Sequence, residues 1–169
     1  VMVVATSDAN EAQETRIVSD LANRRVDGLL ICTVLPPSGF RAIMLPGRPT
    51  VLIDCATPFA GFTAVGPDSR DGARRLVDHL ITVHGHQSIA LIMGLPSGPV
   101  PDPREQGWSD AFRSHDLPPG PIVRTSFSRH GGHEATVQLL SWPTRPNAIF
   151  VASDELATGA LKAIREAGL

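Results

Sequence analysis

The 169-residue chain has a single lysine, Lys162, two cysteines and no long apolar run. Two cysteines cannot build a disulfide framework, and Cys32 and Cys55 fall in or after apolar strands, where buried, inert thiols are expected. No apolar stretch is long enough to cross a bilayer, and no signal-peptide pattern is present. The chain begins abruptly inside an expected strand, so its start says nothing about location. Basic runs and aromatic–basic interleaving are missing and the net charge is −2, so this stretch alone offers nucleic acid no general surface.

Catalytic signatures are missing as well. There is no Gly-x-Ser-x-Gly elbow, no Walker loop, and no Gly-x-Gly-x-x-Gly after a strand. Nothing in the sequence brings Cys32 or Cys55 to a histidine to make a thiol site. His79, His84 and His86 cluster, but His84-x-His86 is not a zinc spacing, and His130 and His133 fall at a loop and a helix start. The expectation is a chain with no catalytic residues, no metal and no cofactor.

What is present is the composition of a soluble globular protein, 42% hydrophobic and 19% charged, in a chain long enough for one domain or two small lobes. Val1 to Thr6 reads as an apolar strand. A helix capped by Asp8 or Asn10 follows to about Asn23, with Glu11 and Glu14 in its first turns. Gly28–Val34 reads as a second strand, broken by Pro36-Pro37-Ser38-Gly39, and Phe40–Leu45 as a short helix. Thr50–Ile53 and Thr63–Gly66 are further strands, and Asp68 caps a helix from about Arg70 to Val83. After it come strand Ile89–Met93, a Gly/Pro loop, helix Arg104–Ser114, strand Ile122–Phe127, helix Gly131–Leu140, strand Ala148–Ala152 and helix Asp154–Ala167, ended by Gly168. Strands alternating with helices of this length mean βαβ units and parallel sheet, an α/β fold. The motifs change near His86, which suggests an N-terminal lobe over residues 1–86 and a C-terminal lobe over residues 87–169.

Four stretches carry a resemblance. The first is Gly85-His86-x-x-Ile89-Ala90, then Gly94, then Arg104-x-x-Gly107-Trp108. The others are Val26-Asp27-Gly28 before Leu29-Leu30-Ile31, Asp68-Ser69-Arg70-Asp71-Gly72-Ala73 through His79-Leu80, and Ala148-Ile149-Phe150 through Ser153-Asp154 to Ala157-Thr158-Gly159-Ala160. In this order they resemble the lactose-repressor family of bacterial transcription regulators over nearly the whole chain. The resemblance implies two Rossmann-like lobes of the periplasmic-binding-protein type, incomplete at both ends. It implies a cytoplasmic effector-sensing domain that binds a small polar molecule, with a sugar expected, and acts by allostery. It also implies operator DNA contacted only through a helix-turn-helix domain outside this sequence, and a homodimer when complete. Two other readings stay open: a secreted sugar-binding protein of a transport system, and an enzyme on a similar α/β fold.

Five residues are candidates for ligand contact. Arg104 opens a helix beside the Gly/Pro loop, and its planar guanidinium suits paired hydroxyls or a carboxylate. The plain alternative is a solvated arginine; in either case no buried partner is expected for it. Asp54 ends a strand at the edge where α/β sheets bind ligands, although a turn-forming aspartate fits too. Phe127 follows a strand and could stack on a sugar ring or belong to the core. Ser153-Asp154 stands where the family carries Asn-Asp. Ser153 can cap the helix but lacks the amide's reach, and Asp154 suits a first helical turn. Asp54 from the first lobe is expected to face Arg104 and Phe127 from the second.

Overall fold

The computed structural model describes residues 2–8, 10–24, 26–33, 35, 37–43, 47–54, 61–96 and 101–169. Its strands form two parallel sheets. β1 (Leu29–Ile31), β2 (Thr50–Ile53) and β3 (Thr63–Val65) make the first, in the order β1-β2-β3. β4 (Ile89–Gly94), β5 (Ile122–Thr125) and β6 (Ala148–Val151) make the second, in the order β5-β4-β6. The helices between them are α1 (Glu11–Asn23), α2 (Pro37–Ile43), α3 (Ser69–Thr82), α4 (Pro103–Ser114), α5 (Arg129–Leu140) and α6 (Asp154–Glu166). The chain is α/β, with two compact units, Val1–Pro67 and Asp68–Leu169.

The second unit has three layers. β4 is apolar along its whole length and buried on both faces, as a central parallel strand must be. Ile89, Leu91 and Met93 point to one face and pack with Ala73 and Val77 of α3, Trp108, Ala111 and Phe112 of α4, and Phe150 of β6. Ala90 and Ile92 point to the other face and pack with Val123, Ala135, Leu139 and Leu156. The Trp108 indole N–H donates to the Ile89 carbonyl at 3.2 Å, which satisfies the one polar atom of that ring. α3 and α4 touch at Gly107, where an added Cβ would lie 2.1 Å from the Arg70 carbonyl oxygen. This close approach holds α3 on the second sheet, while the strands themselves separate on either side of His86. Asp68 caps α3 by accepting from the Asp71 backbone N–H at 3.0 Å, as expected. At the other end Gly85, with φ of 69°, donates to the Ile81 carbonyl. Glycine suits this left-handed helix stop, which gives the Gly85-His86 turn a structural reason.

In the first unit, Leu35, Phe40 and Leu52 form the core, with the Phe62 ring edge-on to Phe40 at 5.2 Å. Asn10 caps α1 by accepting from the Gln13 N–H at 3.0 Å. Three expectations fail here for physical reasons. Residues 2–7 join neither sheet, because a strand exists only through its ladder and none reaches this run; Met2 and Val4 are exposed. β1 ends at Ile31, three residues before Val34, so Cys32 lies past the strand and is exposed, not a buried thiol. The short helix starts at Pro37, not Phe40, since proline is well placed in a first helical turn. Cys55, and the turn it was expected to open with residues 56–58, lie outside the described residues.

Candidate ligand site

All three strands of the second sheet run the same way, so their carboxyl ends, Gly94, Thr125 and Val151, form one edge. Asp102 caps α4 there and Pro103 fills the first helical turn, which fixes where Arg104 begins. The Arg104 backbone N–H donates to Asp102 Oδ1 at 2.8 Å. Its Nε and Nη2 donate to Oδ1 and Oδ2 of the same carboxylate at 2.9 and 3.0 Å, a two-toothed pair. Nη1 donates to the Ala152 carbonyl at 2.9 Å, tying α4 to the end of β6. The side chain remains 38% exposed. Arg104 is therefore built into the edge, which corrects the expectation of an arginine with no partner inside the protein. Burial raises the Asp102 pKa, but hydrogen bonds from the Arg104 side chain and backbone, with its positive charge, outweigh this and hold the carboxyl below its ordinary range.

Phe127 lies just past β5, which stops at Thr125, two residues earlier than expected. Its ring occupies the space a side chain at position 94 would take: an added Cβ on Gly94 would sit 1.9 Å from the ring. Contact with the glycine leaves the ring 52% exposed, so it offers an apolar surface and is not a core residue. The chain turns at Ser128, whose Oγ accepts from the Gly131 N–H at 3.0 Å, and α5 begins at Arg129. Ser153 caps α6 by accepting from the Leu156 N–H at 3.3 Å, and Asp154 is exposed in the first turn. Arg104, Phe127, Ser153 and Asp154 thus share the carboxyl edge of the second sheet. Asp54 belongs to the first unit. It is exposed, its backbone N–H donates to the Val65 carbonyl at 2.9 Å, and its φ of 55° is one that aspartate tolerates in a turn.

Three neighbours of this edge escape sequence reasoning. Asp102 had a usable signal, an Asp-Pro pair before a helical pattern. Arg124 and Glu105 had none: Arg124 Nη2 donates to both Glu105 carboxylate oxygens at 2.8 Å, across 19 positions of sequence.

The carboxyl edge of this parallel sheet, with a fixed guanidinium, an exposed aromatic ring and a capped helix, is where α/β proteins of this architecture place small-ligand sites. Residues 77–169 match the periplasmic binding protein-like domain family, more than half the chain, and the chain belongs to that family. It is 33% identical to the ribose operon repressor of Escherichia coli (strain K12) over 99% of its own length and 52% of the relative's. The fold matches the Cra transcriptional dual regulator from Pseudomonas putida in complex with fructose 1-phosphate, with a TM-score of 0.82 and 27% identity, over 97% of this chain and 62% of that one. It also matches a LacI family transcriptional regulator from Enterococcus faecium with bound ribose, with a TM-score of 0.80 and 28% identity, over 99% of this chain and 61% of that one. The likeness to lactose-repressor-family regulators thus extends from motifs to fold. The chain spans about half the length of the ribose operon repressor it matches.

Proposed function

We propose that this chain is the effector-sensing domain of a bacterial transcription regulator. It binds a small polar molecule, a sugar, and controls DNA binding by a helix-turn-helix domain outside this sequence. The observation that carries the reading is the carboxyl edge of the second sheet. Arg104 is held in plane there by Asp102 and Ala152, beside Ser153, with the exposed Phe127 ring on Gly94. In this reading Arg104 hydrogen-bonds ring hydroxyls, Phe127 stacks on the ring's apolar face, and Ser153, Asp154 and Asp54 take further hydroxyls. The names of the relatives support it: an operon repressor, and regulators solved with ribose or fructose 1-phosphate.

No bond is made or broken in this function. A ligand that binds one lobe arrangement better than another shifts the population toward it, and that shift is the signal. The whole regulator works as a homodimer in the bacterial cytoplasm, matching two-fold operator DNA. Among the described residues no helix is long and apolar enough to cross a membrane.

Calorimetric titration with D-ribose and a panel of other pentoses and hexoses tests the reading. Phe127→Ala should weaken binding of the sugar that binds by roughly ten- to a hundredfold, the loss of one stacked aromatic surface. Unchanged affinity in that variant would remove Phe127 from the site.

A further inference from the structure

The six histidines of this chain fall into two groups by their neighbours. His115, His130 and His133 each face a carboxylate, that of Asp78, Glu134 or Glu166. His79, His84 and His86 face one another instead. The Nε2 atoms of His79 and His84 lie 3.2 Å apart, with ring centroids 4.9 Å apart and ring planes at 76°. The His86 ring lies 6.0 Å from that of His84, within 20° of its plane. His79 and His84 are exposed to solvent.

The end of α3 makes this contact. On a continuing helix, side chains five positions apart point about 140° away from each other. α3 instead stops at Thr82, and Gly85, with its φ of 69°, turns the chain. The Gly85 and His86 N–H groups donate to the Ile81 and Leu80 carbonyls at 3.1 and 3.0 Å. These bonds fix the backbone on either side of His84 and bring its ring to His79 in the last turn of the helix. Two imidazoles that meet Nε2 to Nε2 can share one proton between them. A metal ion can take the place of that proton. With metal–nitrogen bonds of about 2.0–2.1 Å, two nitrogens on adjacent corners of a tetrahedron lie about 3.3 Å apart. The negative end of the helix dipole also favours a cation here. Along the sequence His84-x-His86 is the wrong spacing for zinc; in the structure the facing pair is His79 and His84.

We propose that His79 and His84 form a two-histidine site for a divalent transition-metal ion such as zinc or nickel. Imidazole suits these ions, whereas magnesium and calcium prefer oxygen ligands. Among the described residues no group of three or more His, Cys, Asp or Glu side chains is arranged to hold a metal, so water completes the coordination. The bound ion ties the last turn of α3 to the turn that leads into β4. Two protein ligands in place of four give roughly half the free energy of a structural zinc site, a dissociation constant between roughly 1 and 200 μM.

Calorimetric titration of the chain, prepared without a polyhistidine tag, with ZnCl2, NiCl2 and MgCl2 tests the site. Zinc and nickel should each show one equivalent that His79→Asn or His84→Asn weakens at least roughly tenfold, and magnesium should show none. Thermal melts without metal report that each variant is folded. Saturating zinc should raise the melting temperature of the unaltered protein and leave that of the variants where it was. No zinc or nickel binding up to about 1 mM overturns the proposal. So does an equivalent, or a rise in melting temperature, that both variants retain, because the metal then sits on other residues. No sugar enters the test, so its outcome leaves effector sensing untouched.

Discussion

At Arg104 the proposed effector contact and fold stability meet in one side chain. Three of its side-chain nitrogens already have partners inside the protein, so Arg104→Ala removes more than the proposed ligand contact. It should weaken effector binding by about 1.5–3 kcal/mol, the range for a hydrogen bond to a charged group. It should also lower stability by about 0.5–1 kcal/mol, a figure reduced for solvent screening because the pair is partly exposed. Arg104→Lys keeps the charge but loses the planar fork, and should restore little of the affinity. Titration and urea melts on the same preparations separate the two losses. The pairing also gives a pH dependence. The Asp102 carboxyl is held below its ordinary range, so its contribution is fully present above the unfolded-state pKa of about 3.9 and is lost as the pH falls through the lower folded value. Asp102→Asn should flatten that part of the acid stability profile, and a profile identical to the unaltered protein would show that the pair does not contribute to stability. The place of Arg104 was legible from the Gly/Pro loop before it, but its partners were not. A carboxylate two residues away could have faced solvent, and Ala152 lies 48 positions along the chain.

At the level of an element, α4 shows what the spacing Arg104-x-x-Gly107-Trp108 achieves as one unit. Within little more than one turn it places a cation at the sheet edge, a missing side chain against α3 and the largest core ring over β4. At helical spacing Gln106, Trp108, Ala111 and Phe112 can share one side. The last three are buried, but Gln106 instead donates to the Pro101 carbonyl near the surface, and Gly107 takes the inner position. An apolar-only pattern cannot see that choice, because a glycine at a helix seam is buried without being hydrophobic. Gly107→Val should force α3 from α4 and cost about 1–3 kcal/mol, as overpacking in a closed core does. Urea denaturation measures it; a loss within error of zero would mean that the helices part freely. The start of α5 was misjudged by two residues for a related reason. Ile122 to Phe127 looks like one continuous strand, yet Ser128 caps α5 and the Phe127 ring turns onto Gly94 instead of continuing the ladder.

For the whole molecule, the alternation of strand and helix was enough to give parallel sheets, and the change of motif near His86 separated the strands of one sheet from those of the other. Which sheet α3 joins was not legible. Ala73 and Val77 announce a buried face, but an amphipathic stripe does not name the surface it packs on. Packing of α3 against α4 has a consequence for dissection. A chain of residues 68–169 retains every buried residue of both cores of the second unit and should melt cooperatively. A chain of residues 87–169 loses Ala73 and Val77 and uncovers Trp108 and Phe112, and should be markedly less stable or collapse to a loosely packed state. Thermal melts followed by circular dichroism compare the two, and equal stability would place α3 outside the cooperative unit.

The buried indole has an optical meaning as well. The chain has two tryptophans, Trp108 and Trp142, and no tyrosine; both tryptophans belong to the second unit. Trp108 is sealed from water and its N–H is engaged by a backbone carbonyl, so its emission belongs at the short-wavelength end and moves to the red only when the space between α3, α4 and β4 opens. The first unit, whose only aromatic residues are phenylalanines, is dark at that wavelength. A fluorescence trace of denaturation therefore follows half of this molecule, and any difference from a far-ultraviolet dichroism trace of the same sample is the signature of the other half.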